Sequence, residues 1–460
     1  MGSKGLEMAR AKMQDAGVDP VAIDTFAHYY RLLEHGETGM IAESTISPLE
    51  MPALADVEVS DEVAAEAIRT TVVIKLNGGL GTSMGMDRAK SLLCVRRGLS
   101  FLDIIARQVL HLRKVYDATL PLVFMNSFRT SADTMAALAR YQDLQVDGLP
   151  LEFLQNKVPK LLLSNLVPAS FPKNPDLEWC PPGHGDLYTA LRGTGLLGRL
   201  RDAGFRHVFV SNSDNLGAVP DARVAGWFAA SGAPFAIEAV RRTSSDRKGG
   251  HFAQRKADGR IVLRESAQTL DADLDALADL DRHRFTSTNN LWFDLDAMTE
   301  ALDARQGILG LPMIRNVKHL DPVDPTTPEV VQIETAMGAA IEIFEGARTI
   351  EVGRDRFVPV KTTNDLLVLR SDIYDLGRDF VLDQASEGVP FVDLDSDFYK
   401  LVRDFDKRFP DGAPSLREAT SLVVDGDVTF GRGVRVVGDV AIKAPSARRI
   451  EASAVLAADA

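Results

Sequence analysis

Along the first seventy residues, Ile23, Phe26, Tyr30 and Leu33 recur at three- and four-residue spacing up to Gly36, and Asp19 stands just before Pro20. An aspartate cap, a proline in the first turn and this period predict an amphipathic helix. From Thr70 the texture changes to short β-rich runs, TTVVIKL, LPLVFMN, RHVFVSN and APFAIEAV, separated by helical stretches such as Phe101 to Tyr116 and Val219 to Ala230. Alternating strands and helices predict an α/β fold with a mostly parallel sheet covered on both faces. Leu270, Leu274 and Leu277 mark a further amphipathic helix with an acidic outer face. Near the end, Val428, Val434 and Val440 sit six apart, as do Phe430, Val436 and Ile442, with Asp427, Gly433 and Asp439 between them. This period predicts a short parallel β-helix in which each rung stacks an apolar side chain on the last. A twisted meander of two or three strands is the competing reading.

Composition narrows the function classes. The 460 residues suffice for about three domains. A net charge of -13 argues against nucleic acid or an anionic membrane as partner. No apolar run approaches the ~20 residues of a membrane helix, and the opening MGSKGLEMARAKM has no apolar signal core, so a cytoplasmic location is expected. Two cysteines, Cys94 and Cys180, cannot build a disulfide framework or a cysteine zinc site, and the eight histidines form no ligand pattern. The acidic runs Asp271, Asp273, Asp275 and Asp393, Asp395, Asp397 fail as calcium loops, with Ala276 and Phe398 where glycine is needed and Arg282 and Asp404 where glutamate is needed.

Candidate chemistry begins at VVIKLNGGLGTSMGMDRAKS, Val72 to Ser91, where a strand runs into Asn77, Gly78, Gly79 and Gly81. Glycines after a strand let backbone N–H groups approach a base or phosphate. The stretch has no Gly-Lys pair for a Walker A loop, and Gly79, Gly81 and Gly85 read GxGxxxG rather than the dinucleotide fingerprint. Lys90 stands where it can meet a phosphate as a point charge; a surface turn with an ordinary lysine reads equally well from this stretch alone. Asp214 closes the strand VFVSNSDN, where a single carboxylate beside phosphates suits Mg²⁺ or simply caps a turn. WCPPGHGDLY sets Pro181, Pro182, Gly183 and Gly185 around His184, and DRKGGHF places Gly249 and Gly250 between strands. TSTNNLWFDL offers Asn289 and Asn290 as amides suited to sugar hydroxyls. FVPVKTTNDLLVL places Lys361 between a strand end and a helix capped by Asn364 or Asp365.

Taken together, KLNGGLGTSMG, PPGHGDLY, VSNSDNLGA, KGG, TNNLWF, IETAMGAAI and RFVPVKTTNDLL resemble, in order and spacing, the eukaryotic-type UDP-glucose pyrophosphorylases (UTP–glucose-1-phosphate uridylyltransferases). The resemblance runs from about Lys75 to Asp372 and more weakly to the terminal repeat. It implies an N-terminal helical segment (residues 1–69), a Rossmann-like, GT-A-like mixed sheet flanked by helices (70–380), and a linker helix with a small left-handed β-helix (381–460). Leu76, Asn77, Gly78, Gly79, Gln155 and Gly183 then resemble the nucleotide contacts, Asp214 the Mg²⁺ ligand, and Lys90 and Lys361 the catalytic, phosphate-binding lysines. His184, Asn212, Gly250, Glu265, Asn289 and Asn290 resemble the glucose 1-phosphate pocket. The implied reaction is in-line displacement at the α-phosphorus of UTP by the phosphate of glucose 1-phosphate, giving UDP-glucose and pyrophosphate. The nucleophile is already an anion, so no nucleophile–base triad is needed. The sequence departs from the family pattern at Arg88 and Ala89, which replace Gly-Pro ahead of Lys90, and in a short tail after Ile442; a homo-oligomer is compatible with the family without being required by these residues. Rival readings are a pyrophosphorylase for another sugar phosphate, a non-catalytic sugar-nucleotide sensor, and a nicotinamide-dependent oxidoreductase using Asp103 as its acidic residue.

Overall fold

The computed structural model describes residues 4–457. Seven strands build the central sheet: β1 (Thr71–Asn77), β2 (Leu122–Asn126), β3 (Glu152–Leu154), β4 (His207–Asn212), β5 (Phe235–Arg241), β6 (Phe285–Asp294) and β7 (Arg348–Glu351). Their spatial order is β7-β5-β6-β4-β1-β2-β3. β6 runs antiparallel to both its neighbours, β4 and β5, while every other pair is parallel, so the sheet is mixed.

Alternation along each strand feeds two cores. Val73, Leu122, Phe124, Phe209 and Ala236 face one side, where they meet the helices Phe101–Tyr116 and Ala222–Ser231. Val72, Ile74, Val123, Met125, Val208 and Ile237 face the other, against the helices Asp186–Gly193 and Leu196–Asp202. The helix Ala222–Ser231, expected to begin at Val219, starts at Ala222 because Asp221 caps it by accepting the Val224 N–H at 3.0 Å.

The N-terminal helix Pro20–Glu34 is capped as expected, with Asp19 accepting the Val21 N–H at 2.8 Å. Its apolar stripe, with Leu6, Ala9 and Met13 of the preceding helix Lys4–Asp15, packs on Val158, Leu161, Met313, Val331 and Ile333. Beyond it the chain forms a strap: Ile46–Pro48 adds a third strand to the hairpin His251–Arg255/Ile261–Arg264.

At the C-terminal end, Phe391–Leu394, Ser415–Phe430, Arg435–Ile450 and Val455–Leu456 pair in parallel, each with the next. Leu422 lies opposite Val440 and Val424 opposite Ile442, an offset of eighteen residues that bulges widen to twenty at Ser415/Arg435 and Val428/Arg448. Residues six apart do not stack on one another, which corrects the expectation that each hexapeptide is a rung. The Leu270–Leu277 expectation also changes: a 3-10 turn, Asp271–Asp273, leads into only Leu274–Ala278, and Leu277 is buried while Leu270 and Leu274 are exposed. Among the described residues no helix is long and apolar enough to cross a membrane.

Candidate active site

Parallel pairing brings the carboxyl ends of β1, β2 and β4 side by side, with Asn77 opposite Asn126 and Leu76 opposite Asn212. In such sheets ligands collect at this edge. Asn77 stitches the edge together: its Nδ2 donates to Asn126 Oδ1 at 2.8 Å and Thr134 Oγ1 at 2.9 Å, and its Oδ1 accepts Ser213 Oγ at 3.0 Å. Its side chain is thus spent inside the protein, which narrows the expected nucleotide contact to its backbone. The Ser127 hydroxyl donates to Gly78 O at 3.0 Å, and Gln155, held by its N–H on Asn126 O at 2.8 Å, presses its amide onto Gly78. A Cβ on Gly78 would stand 2.7 Å from Gln155 Oε1, so only glycine admits that approach.

The loop then folds back. Lys90 N–H donates to Gly79 O at 3.1 Å, and Gly81 takes a left-handed φ of 67° under the Lys90 side chain. Lys90 Nζ meets Asp214 Oδ2 at 2.7 Å and also the carbonyl of Val360, while Asp214 O accepts the Val360 N–H at 3.1 Å. Lys90, Asp214 and the segment that ends in Lys361 therefore converge. Lys361 is exposed and has no ion pair among the described residues. Its backbone N–H and that of Thr362 both donate to Asp365 Oδ2 at 2.8 Å. The helix cap is thus Thr362, with Asp365 completing a capping box, in place of the Asn364 or Asp365 cap read from sequence; Asn364 Oδ1 instead accepts Leu394 N–H at 3.2 Å.

Across the cleft, Gly183 adopts φ 79° against Thr335, whose carbonyl accepts Gly185 N–H at 2.9 Å. The Met337 N–H donates to His184 Nδ1 at 3.0 Å. The His184 ring opens on the cleft, yet the protein crowding it pushes its pKa from 6.5 down to about 4 by desolvation. The donated N–H agrees, because Nδ1 must keep its lone pair, and His184 stays neutral at pH 7. Gly250 lies against Glu265, with the site of a Cβ 2.7 Å from Oε2. Burial pushes the Glu265 carboxyl above its usual range while Lys361 pulls it back, which puts Lys361 within electrostatic reach of the hairpin. Three β6 residues, Thr288 to Asn290, bulge opposite Glu238 of β5. The bulge sets Asn289 at φ 56° and buries Asn290, whose Oδ1 has no partner.

Beneath the site lies a charge network that the sequence reading passed over. Glu238, fully buried, takes both Arg356 Nε and Nη2 at 2.7 Å, Trp292 Nε1 at 3.0 Å and Asn290 Nδ2 at 3.0 Å. Lys75, also buried, donates to Ser211 Oγ at 2.7 Å and Ala218 O at 2.6 Å; burial and then Arg356 push its pKa from 10.5 down to about 7. The available signal was a lone charge inside an apolar run, Lys75 in VVIKL and Glu238 in FAIEAV. Asp103, the acidic residue a dinucleotide site would require, is instead the third residue of a helical capping box with Ser100 and accepts Tyr141 Oη at 2.6 Å.

A family model described as UTP–glucose-1-phosphate uridylyltransferase matches residues 23–436. The chain belongs to that family. A barley (Hordeum vulgare) UTP–glucose-1-phosphate uridylyltransferase is 38% identical over 384 residues, 83% of this chain and 78% of its own length. A Schizosaccharomyces pombe protein described as a probable enzyme of the same name is 36% identical over 393 residues, 85% of this chain and 76% of its own. Among solved structures, the Trypanosoma brucei UDP-glucose phosphorylase superposes with a TM-score of 0.91 at 42% identity, covering 99% of this chain and 98% of that one. A Leishmania major UDP-glucose pyrophosphorylase variant in complex with UDP-glucose gives 0.93 at 42%, with the same coverage. The family match spans every cleft residue described above.

Proposed function

We propose that this chain transfers the uridylyl group of UTP to glucose 1-phosphate, releasing pyrophosphate and forming UDP-glucose. The observation that carries the proposal is the convergence of Lys90, Asp214 and the Lys361 segment beside a glycine loop, in a chain of this family. In this reading the backbone of Leu76 through Gly79, the Gln155 amide and Gly183 hold the nucleotide, with Asn77 fixing the strand end. His184, Asn212, Gly250, Glu265, Asn289 and Asn290 hold glucose 1-phosphate, His184 donating from Nε2 because Nδ1 is occupied.

The attacking phosphate oxygen bears its own negative charge, so the protein needs no general base. Its work is to hold two polyanions in line and offset their repulsion. Lys90 is pinned by Asp214 and Val360 O, and so presents its ammonium at a fixed place. Lys361 supplies a second positive charge from a backbone held by Asp365. Among the described residues no three His, Cys, Asp or Glu gather to cage a metal, but Asp214 keeps Oδ1 free of hydrogen bonds, which fits an ion held mainly by water and substrate phosphates. Mg²⁺ bound there would screen phosphate charge and favour the departing pyrophosphate.

The single antiparallel strand β6 within a parallel sheet supports a GT-A-like reading of residues 70–380, and stacking of the terminal strands at offsets of eighteen to twenty residues supports a left-handed β-helix within residues 381–460, with residues 1–69 as the helical segment. The deciding experiment is pyrophosphate release with Mg²⁺ and glucose 1-phosphate, UTP compared with the other nucleoside triphosphates. Release with UTP is expected; silence with every pair refutes the proposal.

A further inference from the structure

The hairpin His251–Arg255/Ile261–Arg264 closes at the register pair His251 and Arg264, and the next residues outward are Gly250 and Glu265. Whatever fixes the pair thus sets the place of two residues read above as facing the sugar. Arg264 Nε donates to His251 Nε2 at 3.0 Å, and the His251 ring stacks on His283 with centroids 3.8 Å apart. His283 lies two residues before β6, the strand that carries Asn289 and Asn290.

One carboxylate joins these parts, and it comes from the strap. Glu43 accepts His283 Nε2 at 3.0 Å and lies 2.7 Å from Arg264 Nη2 and 2.8 Å from Arg282 Nη2. The backbone of the strap is tied to the same region: Ile41 N–H donates to Gln268 O and Glu43 N–H to Asp273 Oδ2, both at 2.8 Å. The Arg264 and His283 side chains are wholly buried, and Glu43 is the only carboxylate within 4 Å of Arg264 among the described residues. A buried guanidinium without its counter-ion is strongly unfavourable, so Glu43 offsets the charge that Arg264 carries beside His251 and the Ile41 carbonyl.

We propose that Glu43 is a positioning residue for the glucose 1-phosphate side of the site: its carboxylate locks the base of the sugar-facing hairpin to the entry of β6. This rests on the assignment of Gly250, Glu265, Asn289 and Asn290 given under the proposed function. The nucleotide side, at Gly78 and Gln155, is built on the ends of β1 and β3 and has no ion pair with the strap's carboxylate.

Steady-state pyrophosphate release by the full chain, varying each substrate with the other saturating, tests it. Glu43→Gln keeps the shape and removes the charge; the KM for glucose 1-phosphate is expected to rise about tenfold or more, on the scale of one lost charge-assisted hydrogen bond, while the KM for UTP changes less than about twofold. Glu43→Asp falls between the parent and Glu43→Gln. If both KM values rise together, or only thermal stability falls, Glu43 is merely structural and the proposal is overturned. Should Glu43→Gln fail to fold, Arg282→Gln decides, since Arg282 is half-exposed and its loss strands no buried charge. A rise of about threefold or more in the KM for glucose 1-phosphate alone is expected there, and an unchanged value refutes the role. A parent chain that releases no pyrophosphate refutes the functional reading itself, whereas an active parent with unshifted variants refutes only the role of Glu43.

Discussion

Replacing Glu238 by glutamine is the sharpest test of what holds the site together. The change keeps the side chain's size, so no cavity opens, and only charge and hydrogen-bond polarity differ. Four donors converge on the carboxylate, two from Arg356 and one each from Trp292 and Asn290. An amide offers one oxygen to these four and turns an NH₂ toward at least one of them. Arg356, nearly buried, then keeps its charge without a counter-ion, in the same interior as Lys75. Breaking a buried pair from one side costs about 3 to 5 kcal/mol, a large part of the roughly 5 to 15 kcal/mol that holds a native protein together. Urea unfolding followed by circular dichroism, with intrinsic tryptophan fluorescence beside it, measures the loss. Replacing both partners, Glu238→Leu with Arg356→Met, should recover part of it, because no guanidinium is then stranded while Trp292 and Asn290 still lose their shared acceptor. A loss below about 1 kcal/mol for Glu238→Gln would refute the view that this pair carries the network.

Other substitutions test neighbouring parts. Lys361→Ala should lower turnover by about 10² or more without loss of stability, since the side chain is exposed; near-normal turnover removes Lys361 from the mechanism. Gly78→Ala drives a methyl to within 2.7 Å of Gln155 Oε1, so the amide must move and the KM for UTP should rise, and an unchanged value would detach that pair from the nucleotide. Ala89→Pro should be accepted and stabilise by about 0.4 to 1 kcal/mol in urea unfolding, because Ala89 sits at φ -53°, ψ 125° and its N–H bonds to nothing among the described residues; a fall in stability would show the buried site too tight for the ring. Lys75, with its pKa depressed to about 7 from 10.5, binds fewer protons folded than unfolded between those values, so its unfavourable contribution is full below pH 7 and fades as pH rises. Unfolding of the parent and of Lys75→Met from pH 7 to pH 9.5 should show the parent gaining on the variant; parallel curves refute the shift.

The sheet was legible because its strands are buried on both faces and so read as apolar runs of strand length, and the helix Phe101–Tyr116 was read to its exact ends because Ser100 and Asp103 cap it with local side-chain bonds. Local signals also exposed the glycine positions of the loop. What stayed hidden was set by partners distant in the chain: the antiparallel course of β6, the stacking of the terminal strands at offsets of eighteen to twenty residues, and the Glu43 junction, whose three cationic or imidazole partners lie more than two hundred residues away. The Leu270 helix fell short for the converse reason. Its period was correct, but Leu270 and Leu274 find no apolar surface to cover, and a helical stripe without a partner contributes little.

These placements bear on how an acidic protein binds two polyanions. The chain carries -13 overall, so long-range attraction cannot draw UTP in, and positive charge must be concentrated at the cleft. Of the cations there, Lys75 and Arg356 are sealed beneath the surface, and Lys90 is neutralised by Asp214 at 2.7 Å. Lys361 alone among these stands exposed and without an ion pair among the described residues, with the Glu265 carboxyl within electrostatic reach. A phosphate entering the cleft therefore meets Lys361 first, and can draw on Lys90 only by competing with Asp214 for its ammonium. A divalent cation on the free oxygen of Asp214 would weaken that carboxylate's hold on Lys90, so the second lysine becomes available to phosphate as the metal arrives. On this reasoning Lys361 acts from capture through turnover, whereas Lys90 acts only once Asp214 releases its ammonium, and the two lysines are not interchangeable even though both carry one charge.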